Sequence, residues 1–208
     1  MVGATRKRKD DFTYEDLSTW PEDERWELID GVAYDMSPAP LRVHADISRE
    51  LFSIFVTYLR GKPCKVYHAP FDVRLPLGEE SDNQIRNVVQ PDILVVCDEK
   101  KLDDKGCRGA PDLVIEILSP TTASRDCIQK RALYERHGVK EFWTVDPANR
   151  LVQVYLLGSD GRYGRSEVYN DSDVVKVSIF DDLQIDLKEI FPAQLKVVRE
   201  SPKQYKAK

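Results

Sequence analysis

Two short runs dense in branched apolar residues, 88–98 (VVQPDILVVCD) and 111–120 (PDLVIEILSP), constrain this chain more than any other feature. Strands that read as nearly continuous apolar runs are buried on both faces, so the sheet that holds them must be covered above and below. The chain supplies the covers. Between His44 and Arg60 the apolar residues Ile47, Leu51, Ile54, Phe55, Tyr58 and Leu59 recur at spacings of three and four before Gly61, which predicts an amphipathic helix. A second helix is expected between Ser124 and His137, stopped by Gly138.

Other segments read as further strands. Residues 25–36 (RWELIDGVAYDM) are two extended runs around Asp30-Gly31, a strong hairpin signal, after which Pro38 and Pro40 break the chain. In 65–75, Tyr67, Ala69, Phe71, Val73 and Leu75 alternate with more polar residues and predict one strand buried on one side. Residues 141–147 (EFWTVDP) predict another buried strand. RLVQVYLL, YGRSEVY and VVKVSIF then predict an antiparallel set with a turn at Ser159-Asp160-Gly161. The sum is an α/β protein with a mixed sheet. At 208 residues it fits one domain, expected over 12–192, with residues 1–11 and 193–208 as basic tails that read as solvated ends.

Charge narrows the function classes. The net charge is −5, and nine of the 31 basic residues lie in those tails, so the body is more acidic than the average and repels phosphates unless metal ions or a local basic strip intervene. No stretch approaches the ~18 apolar residues of a membrane span. The N-terminus has basic residues but no apolar run behind them, and a cytoplasmic location is expected. Cys64, Cys97, Cys107 and Cys127 show no C-x-x-C spacing and read as free thiols rather than as a zinc site.

Glu116 is the most informative single residue, because it interrupts the run Leu113–Leu118 where a carboxylate needs compensation. An ion pair, a retained proton or a bound metal would each supply it. A second carboxylate helps to choose, and Pro-Asp occurs twice. Asp112 lies four residues from Glu116 on the same strand, about 13 Å away at ~3.3 Å per residue, too far to share a magnesium ion. Asp92 belongs to the preceding strand and converges with Glu116 if the two strands are neighbours.

The second helix offers a third group. At 100° per residue Lys130 sits mid-sector among Asp126, Cys127, Leu133, Tyr134 and His137, while Arg125, Gln129, Arg131, Glu135 and Arg136 fall opposite. A lysine so placed either meets the acids or snorkels past the sheet edge. Glu27 reads as a hairpin surface residue or a further acid at the site. His44 reads as a helix cap or packing residue, or as a supporting group.

The element order and the runs WELIDG, VVQPDILVV, PDLVIEILSP, the spaced Asp126, Lys130 and Tyr134, and GVKEFWTVDP together resemble the Uma family within the PD-(D/E)XK nuclease superfamily. The resemblance implies a restriction-endonuclease-like αβββαβ core with an N-terminal hairpin and C-terminal antiparallel strands. It also implies a metal-dependent endonuclease hydrolysing DNA with magnesium, or manganese in its place. Asp92 and Glu116 would be catalytic metal ligands, with the backbone carbonyl of Ile117 as a further ligand. The superfamily pattern has lysine two residues after the acid, where this chain has Leu118. Lys130 would replace it, with Glu27, His44 and Tyr134 in support. A homodimer is the default for a cutter of both strands. The rival expectation is a nuclease-fold module that binds nucleic acid or a partner protein without turnover.

Overall fold

The computed structural model describes residues 11–21, 23–36 and 41–191; the basic tails and the Pro38/Pro40 break fall outside these, apart from Asp11. The chain runs α1 (Tyr14–Leu17), β1 (Trp26–Ile29), β2 (Val32–Asp35), α2 (Arg42–Leu59), β3 (Lys65–His68), β4 (Val73–Arg74), β5 (Val88–Val89), β6 (Ile93–Val96), β7 (Leu102–Asp103), β8 (Gly106–Arg108) and β9 (Leu113–Ile117). A π-helical turn, Arg125–Lys130, leads into α3 (Arg131–His137), followed by β10 (Glu141–Asp146), β11 (Leu151–Leu156), β12 (Glu167–Asn170), β13 (Val174–Lys176), β14 (Gln184–Asp186) and α4 (Leu187–Ile190).

The central sheet has the order β12-β11-β10-β9-β6-β3 and is mixed, as expected. β9 and β10 run parallel, which requires the crossover through α3, whereas the other neighbours are antiparallel. One face packs Ile93, Val95, Ile115 and Trp143 against Ile47, Leu51 and Phe55 of α2. The other packs Leu94, Val114 and Phe142 against Leu133 and Tyr134 of α3 and against Val73 and Val89 of a second sheet, ordered β2-β1-β5-β4-β8-β7. Both faces are therefore covered, which accounts for the unbroken apolar runs. The hairpin forms at Asp30-Gly31, both left-handed at φ 51° and 79°.

Three strand expectations are corrected. The run 65–75 is two strands in different sheets, β3 and β4, and the run 88–98 likewise divides into β5 and β6. Pro70 and Pro91 lie at the two crossings, where a residue without an N–H cannot continue a ladder. β13 does not extend the antiparallel set; it pairs with β14, burying Val175 and Ile185 in the core beneath α2.

The reading of four free thiols is also corrected, because Cys64 and Cys97 are joined in a disulfide while Cys107 and Cys127 are free. The β3–β6 ladder pairs Lys65 with Val96, and one step further along the same register stand the two cysteines. Sequence spacing cannot show this, since 33 residues separate them.

Candidate active site

Asp92 and Glu116 converge at the end of the central sheet. The β6–β9 ladder pairs Ile93 with Ile115, so one step on Asp92 stands opposite Glu116. Alternation turns both toward the side of Leu94 and Val114, which is the side covered by α3. Asp92 Oδ2 accepts the Ile117 N–H at 2.7 Å and lies 3.1 Å from His44 Nε2, on the first turn of α2. Asp112, at the far end of β9, instead accepts from the Cys97 N–H and pairs with Lys140, consistent with a strand-entry role.

Glu116 is 3% exposed. Its Oε1 accepts from Lys130 Nζ at 3.0 Å and from the Tyr134 hydroxyl at 2.6 Å. Lys130 is shared: its ammonium is 2.7 Å from Glu27 Oε1 and 3.6 Å from Asp126 Oδ1. Lys130 therefore does not snorkel. Glu27 is wholly buried in β1, which corrects its reading as a hairpin surface residue; it also accepts the Gln90 N–H at 3.0 Å.

The helical segment explains two residues the sequence placed differently or passed over. The Arg131 N–H bonds to the carbonyl of Asp126, five residues back, so the turn is wider than an α-turn. A 100° wheel fails there. Arg125, placed on the outer side, instead lies near Glu27, its Nε 3.9 Å from Glu27 Oε2. Asp126 joins the cluster and is buried. Ile128 is exposed, so the helix is covered on one side only.

Charge is unbalanced here. Glu27, Asp92, Glu116 and Asp126 oppose only Lys130 and Arg125 among the arginines and lysines they meet. Burial pushes the Glu116 carboxyl well above its usual range; Lys130 opposes the rise, and Asp126, Asp92 and Glu27 add to it. Burial also raises Asp126. Burial works to discharge Lys130, but Glu116, Glu27 and Asp126 outweigh it and hold the ammonium protonated. Tyr134 is raised by burial and then by the Glu116 charge, so it remains a phenol donor. His44 is lowered by burial, but the hydrogen bond and charge of Asp92 more than restore it.

The cluster floors a cleft of about 530 Å³ lined by Gln90 and Asp92 ahead of β6, the end of β9, the start of α2 and the loop 119–122. No hydrogen bond among the described residues uses Asp92 Oδ1 or Glu116 Oε2. Nor do three His, Cys, Asp or Glu side chains among them form a ready ligand cage. Magnesium fits such a set, because it takes one or two carboxylates and completes its shell with water and phosphate oxygens.

Comparison with known proteins decides the family. The family model Uma2, described as "Putative restriction endonuclease", matches residues 13–188. This chain belongs to the Uma2 family. A crystal structure described as a putative nuclease belonging to DUF820, from Anabaena variabilis, is similar at TM-score 0.69 and 22% identity, covering 86% of this chain and 97% of that one. An uncharacterized protein of Synechocystis is 26% identical over 150 residues, 71% of this chain and 75% of its own. The Uma2 membership gives the chain a nuclease-like character, and the structural neighbour gives it a nuclease fold. No helix among the described residues is long and apolar enough to cross a membrane.

Every residue expected at this Uma2 site, Asp92, Glu116, Ile117, Lys130, Glu27, His44 and Tyr134, falls in one connected cluster. Arg125 and Asp126 complete it. The signal for Asp126 was available, since it shares the Lys130 sector; the signal for Arg125 was not, because the π-turn is invisible to a helical wheel.

Proposed function

We propose that this Uma2 protein is a divalent-metal-dependent endonuclease acting on DNA, with Asp92, Glu116 and the Ile117 carbonyl holding magnesium, or manganese in its place. One observation carries the reading. Asp92 and Glu116 stand at facing ladder positions on the floor of an open cleft, and each keeps one carboxyl oxygen that no hydrogen bond among the described residues uses.

The bound metal would lower the pKa of a water and screen the scissile phosphate. The chain's own groups prepare that chemistry. Lys130 and Tyr134 both bond Glu116 Oε1, which fixes the carboxylate in one orientation and directs Oε2 away from the pair. The Ile117 N–H and His44 do the same for Asp92 through Oδ2, leaving Oδ1 as the available oxygen. Preorganised carboxylates of this kind need no rearrangement as charge develops. Cutting of both strands would follow from a two-fold dimer with one such cleft per protomer.

A second reading is favoured by one detail. Lys130 is held by three carboxylates, which is also what an inactive nuclease fold that only binds nucleic acid would show. Incubating supercoiled plasmid with the protein and magnesium separates the two. Nicking that disappears in Glu116→Ala supports the enzyme; DNA binding without nicking at any magnesium or manganese concentration supports the binding module.

A further inference from the structure

Four arginine and lysine side chains line the cleft, and three are already occupied. Arg25 donates to Gln90 Oε1 at 3.2 and 2.8 Å. Arg49 is held by Asp46 and Glu50, and Lys130 by Glu27 and Glu116. Arg125 is the exception among the described residues. Its Nε is buried with no hydrogen-bond partner, and the nearby Glu27 Oε2, at 3.9 Å, is beyond hydrogen-bond reach and is itself unbonded. Its side chain is only 14% exposed. A buried guanidinium nitrogen without a hydrogen-bond partner is costly, and the cost is recovered when an acceptor arrives.

The surroundings select the acceptor. The Arg125 guanidinium lies 5.3 Å from the Tyr34 ring centroid, a contact that steadies its position. Four carboxylates close by already compete for two cations, so a carboxylate ligand adds nothing that the protein lacks. A planar fork matches two oxygens of one phosphate. We propose that Arg125 is the phosphate-binding residue of the cleft, receiving non-bridging oxygens of a nucleic-acid strand, a task for which Lys130 is poorly free because Glu27 and Glu116 already hold its ammonium at 2.7 and 3.0 Å. The inference rests on the nuclease reading and adds a substrate-positioning residue to it. The π-turn Arg125–Lys130 gains a purpose, because it brings the arginine and the lysine to the same cleft.

The test compares wild type, Arg125→Gln and Arg125→Lys in magnesium, using anisotropy of a fluorescein-labelled 20-nucleotide DNA for binding and plasmid nicking for KM and kcat. Both variants are expected to bind about tenfold more weakly or worse, with the loss appearing in KM more than in kcat, since an ammonium cannot replace the fork. Arg125→Lys keeps the charge beside Glu27 and so reports even if Arg125→Gln does not fold. Wild-type affinity and KM in Arg125→Lys would overturn the proposal and leave a purely electrostatic role. A wild type that nicks DNA, with variants that match it, sinks this inference alone; a wild type that neither binds nor cleaves sinks the nuclease reading with it.

Discussion

Lys130 Nζ lies 2.7 Å from Glu27 Oε1, which ties the helix that carries the lysine to a strand of the other sheet. The same ammonium bonds Glu116 in the central sheet, so a single buried cation joins both sheets at the cleft floor. Removing one member of a buried ionic group leaves the rest uncompensated, and that exceeds the worth of the lost bond.

Lys130→Met should therefore lower the unfolding free energy by about 3–5 kcal/mol in urea titrations at neutral pH. Adding Glu27→Gln should recover part of the loss by removing one unmatched acid, giving a clear non-additive cycle. Wild-type stability in the single variant would show that the three carboxylates do not depend on the ammonium.

Magnesium or manganese titration should raise the melting temperature of the wild type by mass action and leave Asp92→Ala and Glu116→Ala unmoved. The comparison is made by differential scanning fluorimetry over a wide range of metal concentration. An identical rise in all three proteins would remove both acids from the metal site.

Under oxidising conditions two of the four cysteines should react with a thiol reagent after denaturation, and four after reduction. Replacing Cys64 and Cys97 together by serine should cost roughly 3–4 kcal/mol for a cross-link of this span. Four reactive thiols before reduction would contradict the bridge.

Gly106 has φ 122°, and a Cβ there would come within 2.3 Å of the Asp72 carbonyl oxygen. Gly106→Ala should lower stability by at least about 1–3 kcal/mol, as a backbone atom must move. Gly61→Ala, with φ 77° but open space around it, should cost less. Equal melting temperatures for the two variants would mean that the β8 segment yields freely.

Much of this architecture is legible in the chain. The runs around Ile93 and Leu113, the spacing of Ile47, Leu51 and Phe55, and the Asp30-Gly31 turn each express a local preference that the tertiary structure keeps. The convergence of Asp92 with Glu116 follows once their strands are taken as neighbours. What escaped depends on non-local geometry. Glu27 looks like an exposed hairpin residue until its sheet packs against the helical segment that carries Arg125 and Lys130, and Cys64 meets Cys97 only through ladder register. Pro70 and Pro91 fall inside runs that read as single strands but lie where the chain leaves one sheet for the other. Arg125 required a wider helical turn that no periodicity announces.

The crossing beside Pro91 means that no contiguous stretch of this polypeptide owns the cleft. One acid arrives with the hairpin, two with the central strands, and the fourth, together with the amine, with the π-turn that leads into the crossover helix. A split protein divided between Asp92 and Glu116 would separate the two facing acids and restore their pairing only on reassembly, and a graft of any single element onto another scaffold would transplant a charge without its neighbours.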